Sequence, residues 1–188
     1  MTDTCKKCGK EYEVRIASAE QPYHYTESGL PDIRLENITV YSCCGVESAD
    51  IPHMDALHKL IAQDLILTPR PMTGLELRFL RKEAMLKPQD IADRVGIDPK
   101  TVLNWEKAES VSRYADLVIR LLVTTELWHG PKMVEILEQL AELARYTWEP
   151  EPVEDAAEES VEKEIAQLAA DNVAYGLDPA SNQWNIFD

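Results

Sequence analysis

The sequence contains no long apolar run. No stretch approaches the ~18 uncharged residues that a membrane-spanning helix needs. The opening Met1-Thr2-Asp3-Thr4-Cys5 has no apolar segment of the kind a secretory leader requires. Cysteine is sparse and confined to positions 5, 8, 43 and 44, and without a leader a disulfide framework is not expected. There is no phosphate-cradling glycine loop and no nucleophile motif, and His24, His53, His58 and His129 are scattered, so an enzyme is not expected. Basic residues are few, 19 Lys and Arg against 34 Asp and Glu. What remains is 188 residues, 45% hydrophobic, enough for a packed core in one ordinary domain or two small ones. The expectation is a soluble, cytoplasmic, non-enzymatic protein.

The net charge of −15 argues against a nucleic-acid partner only if it is evenly spread, and it is not. Residues 68–120 carry ten Lys and Arg against eight Asp and Glu, whereas residues 149–172 alone carry −8. The distribution leaves a basic middle and an acidic segment near the C-terminus.

Cys5 and Cys8 enclose two residues and are followed by Gly9, the spacing of a metal knuckle in which a tight turn aims two thiolates at one ion. The second pair is irregular. Cys43 and Cys44 are adjacent, and neighbouring strand residues point to opposite faces, so both can reach one metal only across a backbone bend. Without that bend, His24 or His53 replaces a ligand or the site has decayed; a redox pair, or two unrelated pairs, is the competing explanation. The reading taken is a structural Zn2+ on Cys5, Cys8, Cys43 and Cys44.

The spacing predicts a small β module around these cysteines, with strands at Tyr12–Ile16 and Ile33–Tyr41 separated by a Ser28-Gly29-Leu30-Pro31 turn. A helix over Asp55–Leu67 links it to the Thr68-Pro69-Arg70-Pro71 joint. Thr73 and Glu76 then form a capping box that opens a helix to about Met85. Residues 88–106 read as a helix-turn-helix. Ala92 is small where two helices cross, Gly96 makes the turn, Asp98 caps the next helix and Pro99 occupies its first position, with Val102 and Trp105 inward.

Two further helices are expected. The first, Tyr114–Trp128, has Leu117, Val118, Leu121 and Leu122 inward. The second begins at Pro131, with Val134, Leu137, Leu140, Ala141 and Ala144 inward. Beyond them, residues 149–164 read as an acidic linker into an amphipathic helix around Val161, Ile165 and Leu168, or as a solvated segment. Trp184, Ile186 and Phe187 close the chain on a polar tail that docks on this protein or on a partner. The expected fold class is mainly α with a small N-terminal β zinc-binding module. The expected domains are 1–67 (zinc module and linking helix), 68–130 (helix-turn-helix) and 131–188 (helical acidic extension with its tail).

If the second motif helix enters a major groove, Lys100 can donate to guanine, Asn104 can pair with adenine and Thr101 can reach a base or a thymine methyl. Gln89, Lys107 and Arg113 are candidates for phosphate contacts. Arg78 and Arg81 read as structural, pairing with Glu76 or Glu106. A single motif makes few contacts, so a homodimer on a palindromic operator is expected, with an interface formed by the helices after Tyr114. The acidic segment should weaken nonspecific DNA binding by repulsion.

The residues Cys5-Lys6-Lys7-Cys8-Gly9, Tyr23-His24-Tyr25-Thr26-Glu27-Ser28-Gly29-Leu30, Cys44-Gly45, Leu57-His58 and Ile61-Ala62 resemble the MqsA/YgiT-type group. In that group a zinc-finger module is fused to a Cro/repressor-type helix-turn-helix. The resemblance continues through Leu75–Arg81, Ile91-Ala92, Gly96 and Val102 to Trp105-Glu106, and so covers about residues 5–120. Adjacent cysteines replace the group's spaced second knuckle. Pro88 stands where many such regulators begin the first motif helix with a Gln that touches the DNA backbone, and Gln89 follows one place later. The resemblance implies a homodimeric DNA-binding repressor. Some members are antitoxins that hold a toxin partner through the zinc module, and the alternative is a protein-neutralising role carried by the N-terminal module or by the acidic 149–188 tail.

Overall fold

The computed structural model describes Cys5, residues 7–147, 174–178 and 180–187. The chain divides into two compact units, Met1–Leu57 with Asp171–Asp188, and His58–Ala170. The expected class is corrected: among the described residues six helices accompany two small sheets, a mixed α/β protein rather than a mainly α one.

The first unit is built from strands. Strands β1 (Glu13–Ile16), β4 (Thr39–Cys43) and β5 (Val46–Asp50) form an antiparallel sheet in the order β1-β4-β5. The single strand expected over Ile33–Tyr41 is instead two, because Asn37 takes φ 58° and breaks the ladder between β3 (Arg34–Glu36) and β4. β3 belongs to a second sheet, with β2 (Tyr23–His24), β6 (Ala174–Asp178) and β7 (Gln183–Phe187) in the order β2-β3-β6-β7.

The C-terminal tail is thus a hairpin, pairing parallel to β3 with Leu35 opposite Tyr175, where the sequence suggests a polar tail on a helical extension. Its side chains enter the core of this unit. Tyr175, Leu177 and Trp184 are buried with Tyr23, Tyr25, Leu35 and Val40, and the Trp184 indole N–H donates to the Pro52 carbonyl over 3.1 Å. The amphipathic helix expected around Val161, Ile165 and Leu168 lies outside the described residues.

Helix α1 (Met54–Leu67) carries the division between units, and the second unit continues through α2 (Gly74–Glu83), α3 (Pro88–Val95), α4 (Pro99–Trp105), α5 (Arg113–Leu127) and α6 (Pro131–Thr147). The ends follow local chemistry. Thr73 and Glu76 form the capping box of α2, Gly96 closes α3 in the left-handed conformation, and Asp98 caps α4 with Pro99 at its first position. Ile61, Ile66, Leu77, Leu80, Ile91, Ala92, Val102 and Ile119 are fully buried.

The inward faces of the last two helices differ from expectation. α5 buries Ala115, Ile119 and Val123 together with Asp116, Arg120 and Thr124, and leaves Leu121 41% exposed. Arg120 decides this rotation. Its guanidinium donates to Asp116 over 2.8 Å and to the carbonyls of Leu65, Ile66, Thr68 and Arg70, the end of α1 and the joint that follows it. Carbonyls at a helix C-terminus lack intrahelical partners, and one buried cation satisfies several of them here. On α6, among residues 131–143, Ile136 and the expected Leu140 are buried, while Val134 is 48% exposed.

Candidate metal centre and candidate nucleic-acid interface

The two cysteine pairs meet. Cys5 accepts at its carbonyl from the Gly9 N–H and donates its own N–H to the Lys10 carbonyl, both over 2.8 Å, so Cys5–Lys10 closes into a knuckle with Gly9 at φ 70°. The second pair reaches the first because Cys43 ends β4 and Cys44-Gly45 is the two-residue turn into β5, with Cys43 opposite Val46. Cys44 and Gly45 sit at φ 56° and 73°, the doubly left-handed turn that suits the twist of a hairpin. This is the bend that adjacent cysteines need. The signal for it in the sequence is Gly45, placed after a β-branched run.

The four Sγ atoms lie within 4.8 Å of one another, a cluster able to hold a metal ion. Cys8 and Cys43 are 3.3 Å apart, Cys43 and Cys44 3.6 Å, and Cys5 and Cys44 3.9 Å. Cys5 is buried, Cys43 half-buried, and Cys8 and Cys44 are exposed. Backbone N–H groups of Lys7 and Cys8 favour the Cys5 thiolate and lower its pKa to about 6. Its neighbours move the other way: Cys43 and Cys44 are both pushed up, in each case chiefly by the Cys8 thiol. Four sulfurs this close cannot all be anionic without a cation among them. His24 is not in the cluster, and His53 meets the Asn182 side chain over 2.6 Å instead.

In the second unit, α3 and α4 pack across the Gly96 turn with Ala92 fully buried. Of the predicted DNA-contacting residues, Lys100, Asn104 and Lys107 are exposed on α4 and the turn after it, and Thr101 is half-buried. Gln89 is exposed near the start of α3 and donates to Asp93 over 2.6 Å. Arg113 opens α5 and lines a cleft of about 410 Å3 with Arg70, Asp116, Arg120 and Leu140. Trp105 is half-buried and meets Tyr114 edge to face at 6.4 Å.

The arginine expectation is met. Arg81 pairs with the buried carboxylate of Glu106, and Arg78 stands 4.0 Å from it. Glu76 takes Arg70 instead, a partner not anticipated from the sequence. These pairs fasten the end of α4 to α2 and the joint to the start of α2, holding the exposed face of α4 on a fixed frame.

Among the described residues no helix is long and apolar enough to cross a membrane. No family model matches the chain, and neither a curated protein nor a solved structure matches it.

Proposed function

We propose that the protein is a sequence-specific DNA-binding transcriptional regulator, a repressor of MqsA/YgiT type that reads a palindromic operator as a homodimer. The observation that carries this reading is the α3–α4 pair. Two short helices pack across a left-handed glycine with Ala92 buried, and the second helix and the turn after it keep Lys100, Asn104 and Lys107 in solvent. Such a pair supports a helix-turn-helix reading, in which the second helix would lie in the major groove. Lys100 and Asn104 would meet base edges, with Thr101 beside them. Lys107 and Gln89 would meet phosphates, and Arg113 would do so from the start of α5.

The cysteine cluster fits Zn2+. Zinc–thiolate bonds of about 2.3 Å place tetrahedral sulfurs about 3.8 Å apart; the Cys5–Cys44 and Cys43–Cys44 separations of 3.9 and 3.6 Å are close to this, and the Cys8–Cys43 separation of 3.3 Å is shorter. Cys5, Cys8, Cys43 and Cys44 would hold the ion and join the Cys5–Lys10 knuckle to the β4–β5 turn. Four protein ligands leave no open coordination position, which supports a structural and non-enzymatic role.

The test is a salt-dependent titration of the protein against the DNA upstream of its own gene, beside a Lys100→Ala/Asn104→Ala variant. Tight binding that survives competitor DNA and is lost in the variant is the expected result. Absence of specific binding to that DNA and to a randomised duplex library would overturn the reading.

A second reading has its own observation. The β1-β4-β5 sheet leaves Val14, Ile16 and Val46 each more than 60% exposed, on a unit separate from the α3–α4 pair. Exposed apolar residues on a sheet suit a protein partner, as an antitoxin would have. Co-purification of a tightly bound small protein encoded next to the gene would favour it, and it is compatible with DNA binding.

A further inference from the structure

We infer that Leu103 determines operator specificity by contacting the C5-methyl of a thymine; the inference rests on the DNA-binding reading above. Lys100, Leu103, Asn104 and Lys107 are spaced i, i+3, i+4 and i+7, so they share one side of α4 and its following turn. All four are exposed, Leu103 at 42%, while the adjacent Val102 is fully buried and holds the opposite side in the core. Leu103 therefore sits in the middle of a stripe whose other members can only offer hydrogen bonds or charge. A leucine in this position has nothing to match on a phosphate or on a base's donor and acceptor groups.

The major groove presents one apolar feature, the thymine methyl. Leu103 and Asn104 are successive on the helix and point about 100° apart. The methyl read by Leu103 thus belongs to a base pair neighbouring the adenine that Asn104 would bind. The ligand is a duplex with an adenine and a nearby thymine in each half-site.

Replacing thymine by deoxyuridine removes the methyl and leaves every hydrogen-bonding group in place, so it isolates this contact. Binding sites are first selected by the full-length protein from a randomised duplex library. Each thymine of the selected site is then replaced singly by deoxyuridine and titrated against the protein and a Leu103→Ala variant. The wild type is expected to lose about fourfold in affinity at one thymine per half-site, the value of one buried methyl-sized group. Leu103→Ala is expected to bind the thymine and deoxyuridine duplexes equally, with unchanged thermal stability and unchanged elution volume in size-exclusion chromatography.

A wild type indifferent to every deoxyuridine, or a Leu103→Ala variant that keeps the penalty, overturns the assignment while leaving DNA binding intact. A changed oligomeric state in Leu103→Ala, with the penalty retained, makes Leu103 an interface residue and also overturns it. Failure of the wild type to enrich any duplex removes the underlying DNA-binding reading itself.

Discussion

Gly74 is glycine because of where α2 begins. Its N–H donates to the Ala108 carbonyl over 2.9 Å, and a Cβ there would stand 2.5 Å from the Trp105 carbonyl oxygen and 2.6 Å from the Glu106 carbonyl carbon. Helix propensity alone favours Gly74→Ala by about 1 kcal/mol. Backbone contacts this short reverse the sign, and the expected result is a loss of about 1–3 kcal/mol in urea denaturation. The neighbouring Glu76 ties the same corner through pH. Burial alone would raise its carboxyl, but the Arg70 guanidinium and the Thr73 backbone N–H outweigh burial and hold it below the ordinary 4.5. A carboxylate lowered in the folded state contributes stability above its unfolded pKa and loses it as pH falls through the folded value. Glu76→Gln should therefore cost about 2–3 kcal/mol at neutral pH, with the difference from wild type shrinking below pH 4.5 in denaturation curves collected across pH.

At the scale of elements, local chemistry was well marked and the choice of face was not. Thr73, Asp98, Pro99 and Gly96 announce helix ends whose satisfaction is local, and they sit where the sequence places them. The faces of α5 were illegible for a physical reason. Leu117, Val118, Leu121 and Leu122 make one apolar arc and Ala115, Ile119 and Val123 another; periodicity favours the first, which is half-buried with Leu121 exposed, while the second is fully buried. The deciding residues are polar. Asp116 and Arg120 are buried where the end of α1 and the joint after it present carbonyls to which the distant Arg120 guanidinium donates. Arg120→Met keeps the aliphatic stem but strands Asp116 and those carbonyls, and is expected to destabilise by about 3–5 kcal/mol. Adding Asp116→Leu should recover only part of that loss in the same denaturation assay, since the Leu65, Ile66 and Arg70 carbonyls still lose the guanidinium. The cysteine cluster lies between these cases. The Cys5–Cys8 knuckle is readable from its spacing, whereas Cys43 and Cys44 come together beside it only through the hairpin turn in which Cys43 ends β4 and Cys44 takes φ 56°.

At the scale of the whole molecule, the first and last parts of the chain fold as one unit, a pairing that no local pattern records. β3 runs parallel to β6 with Arg34 opposite Ala174, and Tyr175, Leu177 and Trp184 are core side chains rather than a tail. This changes how the acidic segment must be tested. Truncation after Trp148 removes the charge of residues 149–172 but also removes Tyr175, Leu177 and Trp184 from the core. At about 1.5–3 kcal/mol for each large buried side chain, that loss rivals the entire stability of a small domain. The truncated chain is expected to lose near-ultraviolet circular dichroism and to bind zinc more weakly in a chelator competition, because metal binding would then have to drive the folding of the unit. Replacing the acidic residues of 149–164 by Gln and Asn keeps the hairpin and changes charge alone. That variant should keep the zinc affinity of the wild type and bind nonspecific DNA more tightly at low salt, with the gain fading as salt screens the charge. If truncation left both the dichroism and the zinc affinity unchanged, the hairpin would be an accessory to a unit that already stands on its metal; if the charge-neutral variant bound nonspecific DNA no more tightly, repulsion by the acidic segment would be ruled out as a brake on DNA binding.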